Sequence, residues 1–311
     1  MTTPITAAQV KELRERTGAG MSDCKKALEA TAGDLDKAAE KLRMEGMAKA
    51  DKKGGRTAAE GVIAMAADAD AIALVEVNAE TDFVTKGEEF QGLANVAAKL
   101  ALAHKPADLN ALLALKDGGE TLEEKRRALI AKLGENMTIR RFEVVSKAAG
   151  ALAHYLHGTK IGVVVALSAG DAELARDVAM HVAASSPRYL DASSFSAEAL
   201  ASERKIIEAT VAKEQEEARL DAEEAGKPFK AKPAEILAKM IDGKIGKFVA
   251  ENTLLGQPFV KNPDETVEKL LKSKNAAVAH YVRFAVGEGI EKVQTDFAAE
   301  VAAVGAAASK V

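Results

Sequence analysis

The chain has 311 residues, with 43 Lys and Arg against 47 Asp and Glu for a net charge of -4; 48% of it is hydrophobic, but only 4% is aromatic and there is no Trp. Alanine supplies about a fifth of the residues, which predicts a helix-rich, closely packed protein of roughly two or three domains. The near-balanced charge argues against a dedicated nucleic-acid binder, no apolar run approaches the ~18 residues of a membrane span, and the single Cys24 cannot form an internal disulfide, so a reducing, cytoplasmic setting is expected.

In chain order, the first 46 residues predict three short helices. One starts after Thr6 with Val10 and Leu13 on its apolar side, a second is capped by Ser22-Asp23 and stops near Gly33, and a third is capped by Asp34 and runs up to Gly46. The opening residues interleave charges too closely for a signal peptide. Lys49 to Gly61 reads as a basic linker around a Gly pair. Val62–Met65 and Ile72–Val77 then predict a hairpin about Asp68-Ala69-Asp70. Thr81-Asp82-Phe83-Val84 follows, then an Ala-rich helix from Glu89 to His104 halted at Pro106, a helix-rich piece from Leu109 to Leu133, and a strand from Met137 to Val145.

A second cycle repeats this order: strands at Ala153–Leu156 and Ile161–Leu167 around His157-Gly158-Thr159-Lys160, then a helix from Asp171 to Ser185 stopped at Pro187. Setting Pro106 over Pro187 superposes Leu93 on Leu174, Ala94 on Ala175, Ala98 on Ala179 and Ala103 on Ala184, so two related α+β halves are expected. Two further helices, striped by Leu200, Ile207 and Val211 and by Leu237, Ile241, Ile245 and Phe248, flank the break Gly226-Lys227-Pro228 and predict an antiparallel coiled-coil hairpin. Gly256–Val260 is a turn into an apolar pair, and Val282–Gly287 alternates as a strand that could complete the second sheet.

Motifs of covalent chemistry are missing. There is no GxxxxGK(S/T) phosphate loop, no GxSxG elbow, no HExxH helix and no thiolate cage, so no enzyme, cofactor or metal site is expected. His154 and His157 read as structural or surface residues, and Cys24 as a packed thiol.

The stretches VKELRERTGAGMSDCKKALEA with GDLDKAAEKLR, EVNAETDFVTK, HGTKIGVVVAL, AMHVAASSP, LGQPFV and RFAVGEGIEK run in order from residue 6 to about 292 and resemble the bacterial elongation factor Ts family. The resemblance implies a UBA-like three-helix module at 1–48, a linker at 49–61, a first core half at 62–150, and a second half at 151–190 completed by 253–294. A coiled-coil hairpin is inserted at 191–252, and a C-terminal helical module and tail occupy 295–311. It implies guanine-nucleotide exchange on the GTPase elongation factor Tu, without direct nucleic-acid or membrane partners, and leaves open a homodimer within a two-plus-two complex. A non-catalytic adaptor or chaperone, binding through the three-helix module and the hairpin, is the alternative.

Under the resemblance, Thr81, Asp82, Phe83 and Val84 form the motif that dislocates the partner's magnesium ion, with Phe83 as the wedge. Read from the residues alone, Phe83 would be a core side chain and Asp82 a cap. Further partner contacts are implied at Arg14, Met21 and Lys25, with Ser22 standing where a second Met occurs in relatives; at Leu133-Gly134, in place of an Ile-Gly pair; and at His157 and Gly158.

Overall fold

The computed structural model describes residues 4–291; the C-terminal module expected at 295–311 lies outside the described residues. Helix α1 (Ala7–Thr17) starts from a capping box in which Thr6 and Gln9 satisfy each other's backbone N–H groups. Helix α2 (Met21–Ala30) begins a residue before the expected Ser22-Asp23 cap: Gly20 takes the N-cap position and its carbonyl accepts the Cys24 N–H, leaving Asp23 inside the first turn. Helix α3 (Leu35–Lys53) is capped by Asp34, which accepts from the N–H groups of Asp36 and Lys37. Val10, Leu13, Cys24, Ala27, Leu28 and Ala38 form the small core of these three helices, with the Cys24 thiol fully enclosed.

The third helix does not stop at Gly46, so the linker expected over 49–61 opens with helix. Gly46 lies where a Cβ would come within 3.0 Å of the Ala131 Cβ. The missing side chain is therefore used for close approach of two helices, and the helix continues until Lys52 and Lys53 meet the partial negative charge of its C-terminus.

Strands β1 (Glu60–Ala67) and β2 (Ala71–Ala79) form the expected antiparallel hairpin, with Val62 opposite Val77. After it come the single turn α4 (Asp82–Thr85) and helix α5 (Glu88–His104), which packs on β1 and β2. Ala94, Ala97, Ala98 and Ala101 on α5 are fully buried with Phe90, so the alanine richness serves to bring helix and sheet together. The helix-rich piece is interrupted: α6 (Leu109–Ala114) leads into a two-residue hairpin, β3 (Lys116–Asp117) and β4 (Glu120–Thr121), before α7 (Leu122–Leu133). Strand β5 (Met137–Ser146) closes the first sheet in the order β1-β2-β5, and the central strand β2 is buried at all nine positions.

Gly61 sits where a Cβ would fall 2.3 Å from the Val77 carbonyl oxygen, a backbone atom that cannot yield. Gly61→Ala is expected to destabilise the chain by about 1–3 kcal/mol, as overpacked sites do, seen as a lower urea midpoint with an unchanged m-value.

The second cycle has strands β6 (Leu152–His157) and β7 (Ile161–Ala169), then α8 (Ala172–Ser185) capped by Asp171. The hairpin helices α9 (Ala197–Glu224) and α10 (Ala234–Asn252) pack together and are cross-linked by Arg204–Asp242 at 2.9 Å and Lys244–Glu214 at 2.5 Å. Ile207 and Val211 on α9 are buried, whereas the α10 stripe is only half-buried. A short hairpin, β8 (Pro258–Phe259) and β9 (Asn262–Thr266), then helix α11 (Val267–Ser273) precede β10 (Ala277–Ala285). The second sheet has the order β10-β7-β6, so β10 completes it as expected. In both sheets the second hairpin strand is central, leads into an Ala-rich helix and receives its other neighbour from later in the chain. The superposition of Pro106 on Pro187 has a backbone counterpart: α5 and α8 end in the left-handed region at Lys105 (φ 45°) and Ser186 (φ 48°), each just before its proline.

By contacts the described residues divide into two compact units, one of residues 4–146, 156–164 and 284–291, the other of 147–155 and 165–283. The candidate site lies in the first.

Candidate partner interface

Strand β2 delivers the chain at Glu80 and Thr81 to the turn α4, and this exit sets the direction of Phe83. Thr81 is extended (φ -124°, ψ 157°) and its side chain does not cap α4. Its backbone N–H and its hydroxyl both donate to the Glu135 carboxylate, at 3.0 and 2.7 Å. One turn on, the Thr85 hydroxyl donates to the Asp82 carbonyl at 2.9 Å and Lys86 Nζ meets Asp82 Oδ2 at 2.6 Å. Val84 packs on the core and Thr85 is buried, which leaves Phe83 pointing outward, 83% exposed. The reading of Phe83 as a core side chain is therefore set aside: the turn buries its third and fourth residues instead of its second. The Asp82 carboxyl is held below the usual carboxylate range, first by the hydrogen bond from Lys86 and further by the charges of Lys86 and Lys160, against a smaller opposing effect of burial.

Leu133 and Gly134 end α7 beside this turn. Gly134 adopts φ 81° and returns its N–H to the Ile130 carbonyl at 2.9 Å, a left-handed cap that a side chain would strain. Leu133 is 37% exposed. The Gly134 carbonyl accepts from Lys53 Nζ at the end of α3. Asn136 donates its N–H to Glu80 Oε1 at 2.6 Å and its amide to the Arg56 carbonyl at 2.7 Å.

Arg14, Met21 and Lys25 lie on α1 and α2, all exposed, Met21 by 54%. Lys25 makes a 3.9 Å ion pair with Glu29 on its own helix, the kind of exposed pair worth little. The α1–α2 turn abuts α7, where a Cβ on Gly18 would come within 3.2 Å of the Lys132 side chain. Lys132 in turn pairs with Glu89 in the first turn of α5 at 2.8 Å. Lys132 thus links the three-helix module to the segment that carries Phe83.

His157 and Gly158 (φ 58°) form the exposed β6–β7 turn. Its Thr159 carbonyl accepts from Ile63 N–H at 2.8 Å, and Lys160 Nζ reaches Glu60 and the Gly61 carbonyl, both at 3.1 Å. Glu60 and Gly61 lie opposite Ala79 and Asn78 at the end of β2, so the turn belongs to the neighbourhood of the motif.

Sequence reasoning missed the polar frame behind the site. Glu76 is fully buried, and its carboxylate accepts from Arg140 Nη1 at 3.1 Å, Arg141 Nε at 2.6 Å, Asn78 Nδ2 at 3.1 Å and the Gly287 N–H at 2.8 Å. A bulge makes this possible. Glu76 pairs with Arg141 but Val77 with Ile139, so Arg140 is the extra residue and consecutive arginines serve one carboxylate. Arg140 and Arg141 also donate to the Glu288 and Ala285 carbonyls, and Phe284 stacks 4.3 Å from the Arg141 guanidinium, tying 284–288 to the strand that leads to the motif. A Glu in a strand whose one other polar residue is Asn78, with an Arg-Arg pair in another strand, was the available signal.

Among the described residues no group of three or more His, Cys, Asp or Glu is arranged to hold a metal ion, and no helix is long and apolar enough to cross a membrane. The sequence model of the family described as Elongation factor TS matches residues 80–288. Elongation factor Ts of Methylococcus capsulatus is 53% identical over 302 residues, covering 96% of this chain and 98% of that protein. That of Hydrogenovibrio crunogenus is 53% identical over 307 residues, covering 97% and 98%, and that of Xanthomonas campestris pv. campestris 53% over 298, covering 96% and 97%.

Proposed function

The chain belongs to the elongation factor Ts family of translation elongation factors, and from that premise we propose that it is a guanine-nucleotide exchange factor for elongation factor Tu in the cytoplasm. It binds the GDP form of that GTPase, enters its nucleotide domain with Phe83 and loosens the loops that hold the magnesium ion. It acts by binding alone and makes or breaks no covalent bond. The observation that carries this reading is Phe83 itself, a large apolar side chain 83% exposed on a turn whose other residues are pinned.

A phenylalanine brings much buried area on a stiff side chain, and such anchors dominate interfaces. Magnesium offsets the charge of the bound diphosphate, so displacing its ligands removes a large share of the nucleotide's binding energy. Asp82 beside the wedge stays ionised through its Lys86 contact, ready to compete for donors in the phosphate region. Arg14, Met21 and Lys25, the Leu133-Gly134 turn and the His157-Gly158 turn supply the surrounding contacts.

Exchange factor and nucleotide must weaken each other by the same factor. Adding GDP to the isolated complex is therefore expected to raise the dissociation constant of the two proteins by the factor by which the chain raises that of GDP, both measured by calorimetry. A complex whose affinity is indifferent to GDP would mean an adaptor or chaperone instead.

A further inference from the structure

A single helical turn does not hold itself: fixing its dihedrals is repaid by too few hydrogen bonds. α4 is such a turn, and Thr81 before it makes no side-chain cap. What holds its entry is Glu135, whose two carboxylate oxygens take the Thr81 hydroxyl at 2.7 Å and the Thr81 N–H at 3.0 Å. Hydrogen bonds to an ionised acceptor are about twice as strong as neutral ones.

Glu135 is itself fixed from both sides. The preceding Gly134 carbonyl is held by Lys53, and the following Asn136 is held through Glu80 and the Arg56 carbonyl. The carboxylate thus stands on an anchored stretch of backbone and grips Thr81, two residues before the wedge. At the other end of the turn, Lys86 clamps Asp82 and lies 6.0 Å from the Phe83 ring centroid.

We propose that Glu135 is a positioning residue for nucleotide exchange: it aims Phe83 by holding Thr81, and couples the Leu133-Gly134 turn and the end of α3 to the wedge as one preorganised surface. This rests on the exchange reading above. Preorganisation matters because an apolar wedge acts only where it fits, and a misplacement of about 1 Å can cost on the order of a hundredfold in rate.

The test is the maximal rate of GDP release from elongation factor Tu driven by the full chain and by Glu135→Ala, Glu135→Gln, Thr81→Val and the Glu135→Ala/Thr81→Val double variant. Glu135→Ala is expected to lower the maximal rate roughly ten- to a hundredfold, with half-saturation changed far less. Glu135→Gln retains an acceptor for the Thr81 hydroxyl and should recover part of the rate. The double variant should be no slower than Glu135→Ala alone, because Glu135 acts through Thr81. Full rate in Glu135→Ala, or fully additive losses in the double variant, would overturn the proposal, the latter by pointing to direct contact with the partner. Hydrogen–deuterium exchange of residues 81–87 in the free chain gives a readout independent of activity. Glu135→Ala should speed exchange there and not in β1 or β2, and unchanged protection contradicts the proposal even if the unsubstituted chain fails to release GDP, a failure that would sink the exchange reading instead.

Discussion

Phe83→Ala is expected to reduce the chain's stimulation of GDP release by at least about 30-fold, the effect of losing 2 kcal/mol or more at a central aromatic contact, while its melting temperature stays within about 2 °C of the original. The two halves of this expectation have separate causes. The ring is 83% exposed and the Lys86 ammonium lies 6.0 Å from its centroid, so truncation removes almost nothing from the folded state. In a complex the same ring would be enclosed, and truncation would leave a void in the partner. A variant that releases GDP at the full rate would remove Phe83 from the mechanism, and one that unfolds would show it to be structural.

The largest expected effect on stability lies at Glu76. Glu76→Ala leaves Arg140 and Arg141 facing each other without their shared carboxylate and frees the Gly287 N–H. Removing one partner from a buried ion pair costs about 3–5 kcal/mol, and because both guanidinium groups are partly exposed the lower end, about 3 kcal/mol, is expected. The effect should depend on pH. Burial, the largest single influence, pushes the Glu76 carboxyl up, but the Gly287 N–H, Arg141 and Asn78 together outweigh it and hold the group below its ordinary value. A carboxyl lowered on folding adds stability that is complete above its unfolded value and disappears as pH falls through its folded one. Urea midpoints of the original chain and Glu76→Ala should therefore differ most near pH 7 and converge below the ordinary glutamate range. A gap that persists unchanged well below that range would show that the variant suffers from lost packing and not from a lost charge.

Much of the fold was legible because its signals are local and periodic. The β1–β2 hairpin follows from two β-branched runs about Asp68, and the ends of α5 and α8 from Pro106 and Pro187. Where the reading failed, tertiary contact had overridden a local rule. Gly46 looked like a stop but is the point where α3 approaches α7. Ser22-Asp23 looked like a cap, yet Gly20 extends the helix by a residue. The strands β3, β4, β8 and β9 and the helix α11 are too short to stand out from their surroundings. At the site, the motif Thr81–Val84 was visible as a resemblance. Its exposure was not, because only the three-dimensional path decides that Val84 and Thr85 turn inward while Phe83 turns out. Glu135 and Glu76 escaped for a related reason: each acts on residues more than 50 positions away, and neither forms a pattern with its sequence neighbours.

The most direct measurement is the dissociation of fluorescent GDP from elongation factor Tu, chased with excess unlabelled GDP in stopped flow, with and without the purified chain. The release rate is expected to rise with chain concentration to a plateau far above the spontaneous rate, and to respond less when magnesium is already depleted, since the step the chain promotes has then been taken. A release rate unchanged at chain concentrations that saturate the complex would contradict the exchange mechanism.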